Sequence, residues 1–198
     1  MKPTACDIVI LPTGQVRDLA IKLSKLISPQ FFLNDTDLLP HITLAMGFTD
    51  DLSLLKTKIA EIASQFEPFE IVVNKAQGKK LYIVKSDSLR QLHKHLILRA
   101  NLNIDHFEKD IDYDFFNRSG EKTSRETSNY TRNFIRDRSD ENWVPHITLG
   151  WDDNDGVDIE SVDFKANFPM KFTVNDINLC HLGNRNTCRK VLGTWKLK

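Results

Sequence analysis

No glycine-rich phosphate loop occurs anywhere in these 198 residues. That argues against an ATP-dependent ligase or kinase, in which such a loop wraps backbone N–H groups around a polyphosphate. Cysteine is scarce. Cys6, Cys180 and Cys188 are an odd number with no close metal-ligand spacing, and neither an HExxH run nor paired CxxC is present. Three reduced thiols, no metal and no cofactor are expected. Charge of one sign is also lacking: Lys plus Arg equals Asp plus Glu at 27 each, so the net charge is zero. Long-range attraction to nucleic acid is then weak, and a dedicated duplex-binding protein would be more basic. A small nucleotide or an RNA end stays compatible with this balance. No apolar run approaches the ~20 residues of a membrane span, and the first residues have no signal-peptide core. The expected location is the cytoplasm, with no membrane partner.

What is present is a repeat. The pentapeptide Pro-His-Ile-Thr-Leu occupies residues 40–44 and again 145–149. Its recurrence by chance in a chain of this length has an expectation on the order of one in a hundred, so duplication is the first thing to consider. Each copy reads as a strand, with β-branched residues and a proline at the entrance, where a missing N–H is tolerated. Alternation puts His41 and Thr43 on one face and Ile42 and Leu44 on the other, and likewise His146 and Thr148 against Ile147 and Leu149. Two imidazoles and two hydroxyls converging on one group suit a phosphodiester. Each histidine can serve one proton transfer, and the hydroxyls can hold the non-bridging oxygens. A lone strand histidine is more often a hydrogen-bonded core residue, but the doubled His-x-Thr pattern favours function.

The His-x-Thr-hydrophobic motif, present twice with about a hundred residues between, resembles that of the two-histidine (2H) phosphoesterase superfamily. That group includes bacterial RNA cyclic phosphodiesterases, also called 2′-5′ RNA ligases. The resemblance implies an α+β, bilobal duplicated fold: two antiparallel sheets, helices packed outside and a central cleft. It further implies metal-independent cleavage of a 2′,3′-cyclic phosphate, with His41 and His146 catalytic and Thr43 and Thr148 binding phosphate. The implied partner is a nucleotide or RNA end bearing a cyclic or 2′-linked phosphate. A 2′,5′-oligoadenylate-type phosphodiesterase and a non-catalytic RNA-end or nucleotide binding module are the alternatives.

The rest of the chain fits a duplicated plan. At 198 residues, 40% hydrophobic and 27% charged, it is long enough for a proper core and is read as one domain, residues 1–198, acting as a monomer. Strand candidates are 7–11, 69–74, 81–84, 172–179 and 190–197, besides the two motif strands. Helical periodicity marks 16–27, 52–66 and 89–100, with Asp50 or Asp51 and then Ser86 or Asp87 as caps. His41 to Phe69 is 28 residues (69 − 41) and His146 to Phe172 is 26 (172 − 146), whereas Ile8 to His41 is 33 and Ile83 to His146 is 63. The second half therefore carries an insertion at about 102–142, acidic first and basic later. A loop of that length is either functional or disordered. Phe48 and Trp151, just beyond the motif strands, are the candidates for stacking a base. His93 and His95 lie two apart on a helix and cannot share a face, so no metal pair is expected there.

Overall fold

A computed structural model describes residues 3–29, 32–100, 102, 124–150 and 157–198. Its eight strands form one antiparallel sheet. In chain order the elements are β1 (Thr4–Ile10), α1 (Gly14–Ile27), β2 (Ile42–Thr49), α2 (Leu52–Ala63), β3 (Phe69–Gln77), β4 (Lys80–Ile83), α3 (Asp87–Arg99), α4 (Arg125–Arg138), β5 (His146–Thr148), β6 (Met170–Val174), β7 (Asp176–Leu182) and β8 (Cys188–Lys196). The sheet order is β6-β3-β4-β5-β2-β1-β7-β8. The two motif strands, β2 and β5, are thus the central neighbours. Outward from them β1 matches β4, β7 matches β3 and β8 matches β6, so each half-chain lends its closing strand to the other half. The two sheets expected from the duplication are the two four-stranded halves of this one sheet. They meet at a single register pair, Ile42 with Ile147.

Alternation explains the seam. Ile42, Leu44, Ile147 and Leu149 are fully buried, while His41, Thr43, His146 and Thr148 keep partial exposure on the opposite face. The apolar side is covered by helices whose stripes the sequence marks, such as Leu55, Ile59 and Ile62 of α2 and Leu89, Leu92 and Leu96 of α3. Asp51 caps α2 by accepting from the Leu54 N–H at 2.9 Å, and Ser86 caps α3 by accepting from Leu89. At about 25 cal/mol per Å² of apolar area removed from water, this burial is the main stabilising term.

Four expectations need correction. Residues 172–179 are not one strand: the ladder breaks at Asn175, and β6 and β7 lie on opposite sides of the sheet's centre. The basic part of the insertion is not a loop from Ser124 onward but α4, capped by the Ser124 hydroxyl on the Thr127 N–H at 3.1 Å. Its buried face, Thr127, Ser128, Thr131 and Phe134, is mostly hydroxyl, so the apolar stripe that signals a helix is thin. Cys180 and Cys188 are joined in a disulfide across β7 and β8, leaving Cys6 as the free, buried thiol. Finally, Phe48 is 0% exposed within the main core. A β-bulge lies between the motif and Phe48. The register passes from Val9–Thr43 to Ile8–Ala45, skipping Leu44, and residues 44–49 all end up buried. Phe48 therefore cannot stack a base. No described helix is long and apolar enough to cross a membrane.

Candidate active site

Each copy of the motif builds the same local device. In residues 39–41 and 144–146 the chain enters its strand through X-Pro-His, and the histidine turns back on the residue before the proline. His41 Nδ1 lies 2.8 Å from the Leu39 carbonyl and His146 Nδ1 lies 2.7 Å from the Val144 carbonyl. A carbonyl only accepts, so Nδ1 carries the hydrogen in both rings and Nε2 holds the lone pair of the neutral form. Around the Ile42–Ile147 pair, the antiparallel register sets His41 across from Thr148 and Thr43 across from His146. The four side chains line one cavity of about 670 Å³. The motifs are therefore side by side at the junction of the half-sheets rather than on opposed walls.

The surroundings of the two copies differ. Beside the first stands Asp7 of β1, with no exposed surface. Its Oδ2 is 2.7 Å from Thr43 Oγ1 and 3.7 Å from His41 Nε2. Beside the second, β4 places Lys80 as the register partner of Thr148 and Tyr82 as that of His146. Burial holds the Asp7 carboxyl well above the usual carboxylate range, against the opposing pull of the Thr43 hydrogen bond. Burial also lowers both imidazoles. His41 falls below its ordinary value despite backbone bonds at Leu39 and Asn186. His146 is pushed down to about 4, first by burial and then by the charges of Lys80, His41 and Arg138. Both histidines are then neutral at pH 7.

The cavity has a second wall. From α4 come Tyr130, Phe134 and Arg138, and from the turn after β7 come Arg185 and Asn186. That turn is keyed into α4. Asn184 Oδ1 accepts from the Ser124 N–H and from the Thr127 hydroxyl, each at 3.0 Å, and the Thr131 hydroxyl donates to Asn186 Oδ1 at 2.7 Å. Arg185 and Asn186 sit at φ 61° and 57°. A left-handed backbone costs an ordinary residue roughly 1–2 kcal/mol, and these bonds and the Cys180–Cys188 bridge hold the turn there. The Cys188 carbonyl also accepts from the Leu39 N–H at 3.0 Å, next to the carbonyl that orients His41.

His93 has a structural task. Its Nδ1 donates to the bulged Leu44 carbonyl at 2.6 Å, and its Nε2 accepts from the Asp140 N–H at 3.1 Å. Its ring stacks on Trp143, with centroids 4.0 Å apart, and Trp143 Nε1 donates to the Thr43 carbonyl at 3.1 Å. One buried neutral histidine thus ties the segment entering the second motif to the strand of the first. No group of three or more His, Cys, Asp or Glu able to hold a metal occurs among the described residues.

Of the residues singled out from sequence, His41, Thr43, His146 and Thr148 are brought together, Phe48 is in the core, and Trp151 lies outside the described residues together with the acidic half of the insertion. Sequence reasoning missed Asp7, Lys80, Tyr82 and Arg185. Asp7 did carry a signal, since it is the one charged residue in the apolar run 5–11.

Comparison with known proteins bears on the fold. No family model matches the sequence, and no curated protein matches it. Among solved structures the chain is similar to E. coli LigT in apo form, with 16% identity over 100% of this chain and 99% of that one and a TM-score of 0.53. It is similar to a protein described as a phosphoesterase, with 16% identity over 99% of each chain and a TM-score of 0.53. It is also similar to TT0787 of Thermus thermophilus, with 12% identity over 98% of each chain and a TM-score of 0.56. At these identities the likeness is one of fold.

Proposed function

We propose that this chain is a phosphoesterase that cleaves 2′,3′-cyclic phosphates of nucleotides or RNA ends by two-histidine acid–base catalysis. The observation that carries this reading is the convergence of His41, Thr43, His146 and Thr148 on one cavity, with both imidazoles anchored through Nδ1. One neutral Nε2 takes a proton from water as its oxygen attacks phosphorus. The other ring, protonated when the anionic substrate binds, gives its proton to the departing ribose oxygen. One P–O bond forms and one breaks, and the two histidines exchange protonation states, which solvent resets. Thr43 and Thr148 hydroxyls donate to the equatorial oxygens, where negative charge builds up. Lys80, Arg138 and Arg185 line the cavity with charge opposite in sign to that of a phosphate ligand. E. coli LigT has been crystallised with 3′-AMP and with phosphate, ligands of the chemistry proposed for this cavity.

The test is turnover of a 2′,3′-cyclic mononucleotide with EDTA present, beside cyclic-phosphate RNA and 2′,5′-oligoadenylate. Hydrolysis of the cyclic substrates, lost in His41→Ala and in His146→Ala, is the expected result. Preference for 2′,5′-oligoadenylate would move the assignment to that substrate. Binding of phosphate or 3′-AMP without any turnover would make the chain a nucleotide sensor.

A further inference from the structure

We propose that Asp7 is a positioning residue of this site: as a neutral carboxylic acid it donates its proton to Thr43 Oγ1, and so turns the Thr43 hydroxyl proton toward the cavity. The inference rests on the two-histidine reading, and it concerns only the first half-site.

Proton counting sets the direction of this bond. A hydroxyl has one proton to give, and a carboxylate can only accept. If Asp7 were ionised, Thr43 would have to donate to Oδ2 at 2.7 Å. It would then present only lone pairs to a phosphate oxygen, and its assigned task would be lost. If Asp7 is protonated, the same 2.7 Å contact runs the other way and the Thr43 proton is released to the substrate.

The surroundings select the second state. Asp7 is fully buried, and its other oxygen, Oδ1, has no hydrogen-bond partner. An ionised carboxylate there would hold its charge on a single hydrogen bond, which is costly in a dry interior. No cation among the described residues pairs with it. From β2 the titratable neighbour is His41, whose Nε2 is 3.7 Å away, beyond hydrogen-bond range. From α4 it is Tyr130, which burial holds neutral by raising its pKa. From β7 the register partner is Cys180, which is in a disulfide and does not titrate. On β1 itself, Cys6 is buried with its thiol pushed up to about 12.

The second half-site lacks the device. Val9 is the register partner of Thr43 and Lys80 that of Thr148. Asp7 lies two residues before Val9, and two residues before Lys80 lies Gly78, which has no side chain. Thr148 therefore depends on no buried acid, and Thr43 does.

The experiment compares Asp7→Asn, Asp7→Ala, Thr43→Val and the Asp7→Ala/Thr43→Val double variant on a 2′,3′-cyclic mononucleotide. Infrared difference spectra of wild type against Asp7→Asn accompany the kinetics. Asn keeps a neutral donor in the same place, so Asp7→Asn should keep kcat within about threefold. Asp7→Ala frees the hydroxyl to rotate and should lower kcat about tenfold with KM little changed, short of the ~10²–10³ lost with a whole oxyanion donor. In the Thr43→Val background Asp7→Ala should cost nothing further, because Asp7 acts through Thr43. The spectrum should show a protonated carboxyl band at neutral pH that Asp7→Asn removes. That readout needs no turnover, so it decides the protonation state even if the wild type proves inactive on every cyclic phosphate, which would sink the two-histidine reading separately. The proposal is overturned by a carboxylate band in place of the acid band. It is equally overturned if folded Asp7→Asn loses as much as Asp7→Ala, or if the Ala loss persists without the Thr43 hydroxyl.

Discussion

The two half-sites begin from the same five residues and end in different chemical settings. Both histidines make the same turn back onto a carbonyl two residues earlier, at 2.8 and 2.7 Å. Both isoleucines and both leucines are fully buried. Among the described residues, the first copy then has a buried carboxyl and no paired cation on its β1 side, whereas the second has Lys80 across the ladder and Arg138 lining the cavity wall. The lesson is that a five-residue motif fixes which atoms point into the cavity, while the neighbouring strand fixes their charge.

The largest expected effect tests what the half-sites share. His41→Ala and His146→Ala should each lower kcat by at least ~10², the lower end of what acid–base catalysis contributes. Thermal midpoints should stay near wild type, because both rings border the cavity. Near-native turnover in either variant would break the paired mechanism.

Thr43→Val and Thr148→Val sharpen the difference. Each should cost kcat ~10²–10³ if its hydroxyl acts as an oxyanion donor. Only Thr43→Val also strips the last hydrogen bond from buried Asp7, and should lose about 1–3 kcal/mol of stability in urea titrations. Equal stabilities for the two variants would show that the Asp7 contact carries no weight.

The pH profile comes next. Both imidazoles sit below their ordinary value, His146 at about 4, so the bell in kcat/KM should peak on the acid side of the ~6.5 of a free imidazole. Its limbs belong to the coupled pair rather than to named residues. A peak above neutrality would contradict the burial and the charges described around His146.

Stability against pH offers a subtler contrast. His93 has both nitrogens engaged as a neutral ring, and burial lowers its pKa. A depressed histidine binds its proton less readily folded than unfolded. Its contribution is therefore complete above ~6.5 and is lost as pH falls toward the folded value. Asp7 runs differently. Its raised pKa means the unfolded chain releases that proton first, so its contribution is complete below 3.8 and declines as pH rises toward the folded value. Relative to Asp7→Asn, wild type should thus weaken from pH 3 to 7, as read by thermal unfolding.

The smallest expected effect concerns the cations. Arg138→Gln and Lys80→Gln should each raise KM for cyclic-phosphate RNA, and each should flatten the slope of log K against log salt by roughly 0.7–0.9 per lost phosphate contact. No change in slope would place them outside the substrate's path.

The sequence by itself determined the local parts. Alternation in the repeated pentapeptide set which of its residues face the cavity. Helical stripes and caps located α1, α2 and α3, and the near-equal spacings of 28 and 26 residues after the two motifs marked a repeated plan. These are short-range properties, decided within a turn of helix or two strand residues. Only the tertiary structure decided the rest. It joined the two halves into one sheet by exchanging β3 and β7, and it packed Phe48 into the core beyond a bulge at Leu44. It laid the hydroxyl-rich face of α4 over the cavity and paired Cys180 with Cys188 across a ladder. It also set Asp7 against Thr43, 36 residues away in sequence. That contact follows from strand register, which is fixed by the packing of whole elements rather than by the residues that meet.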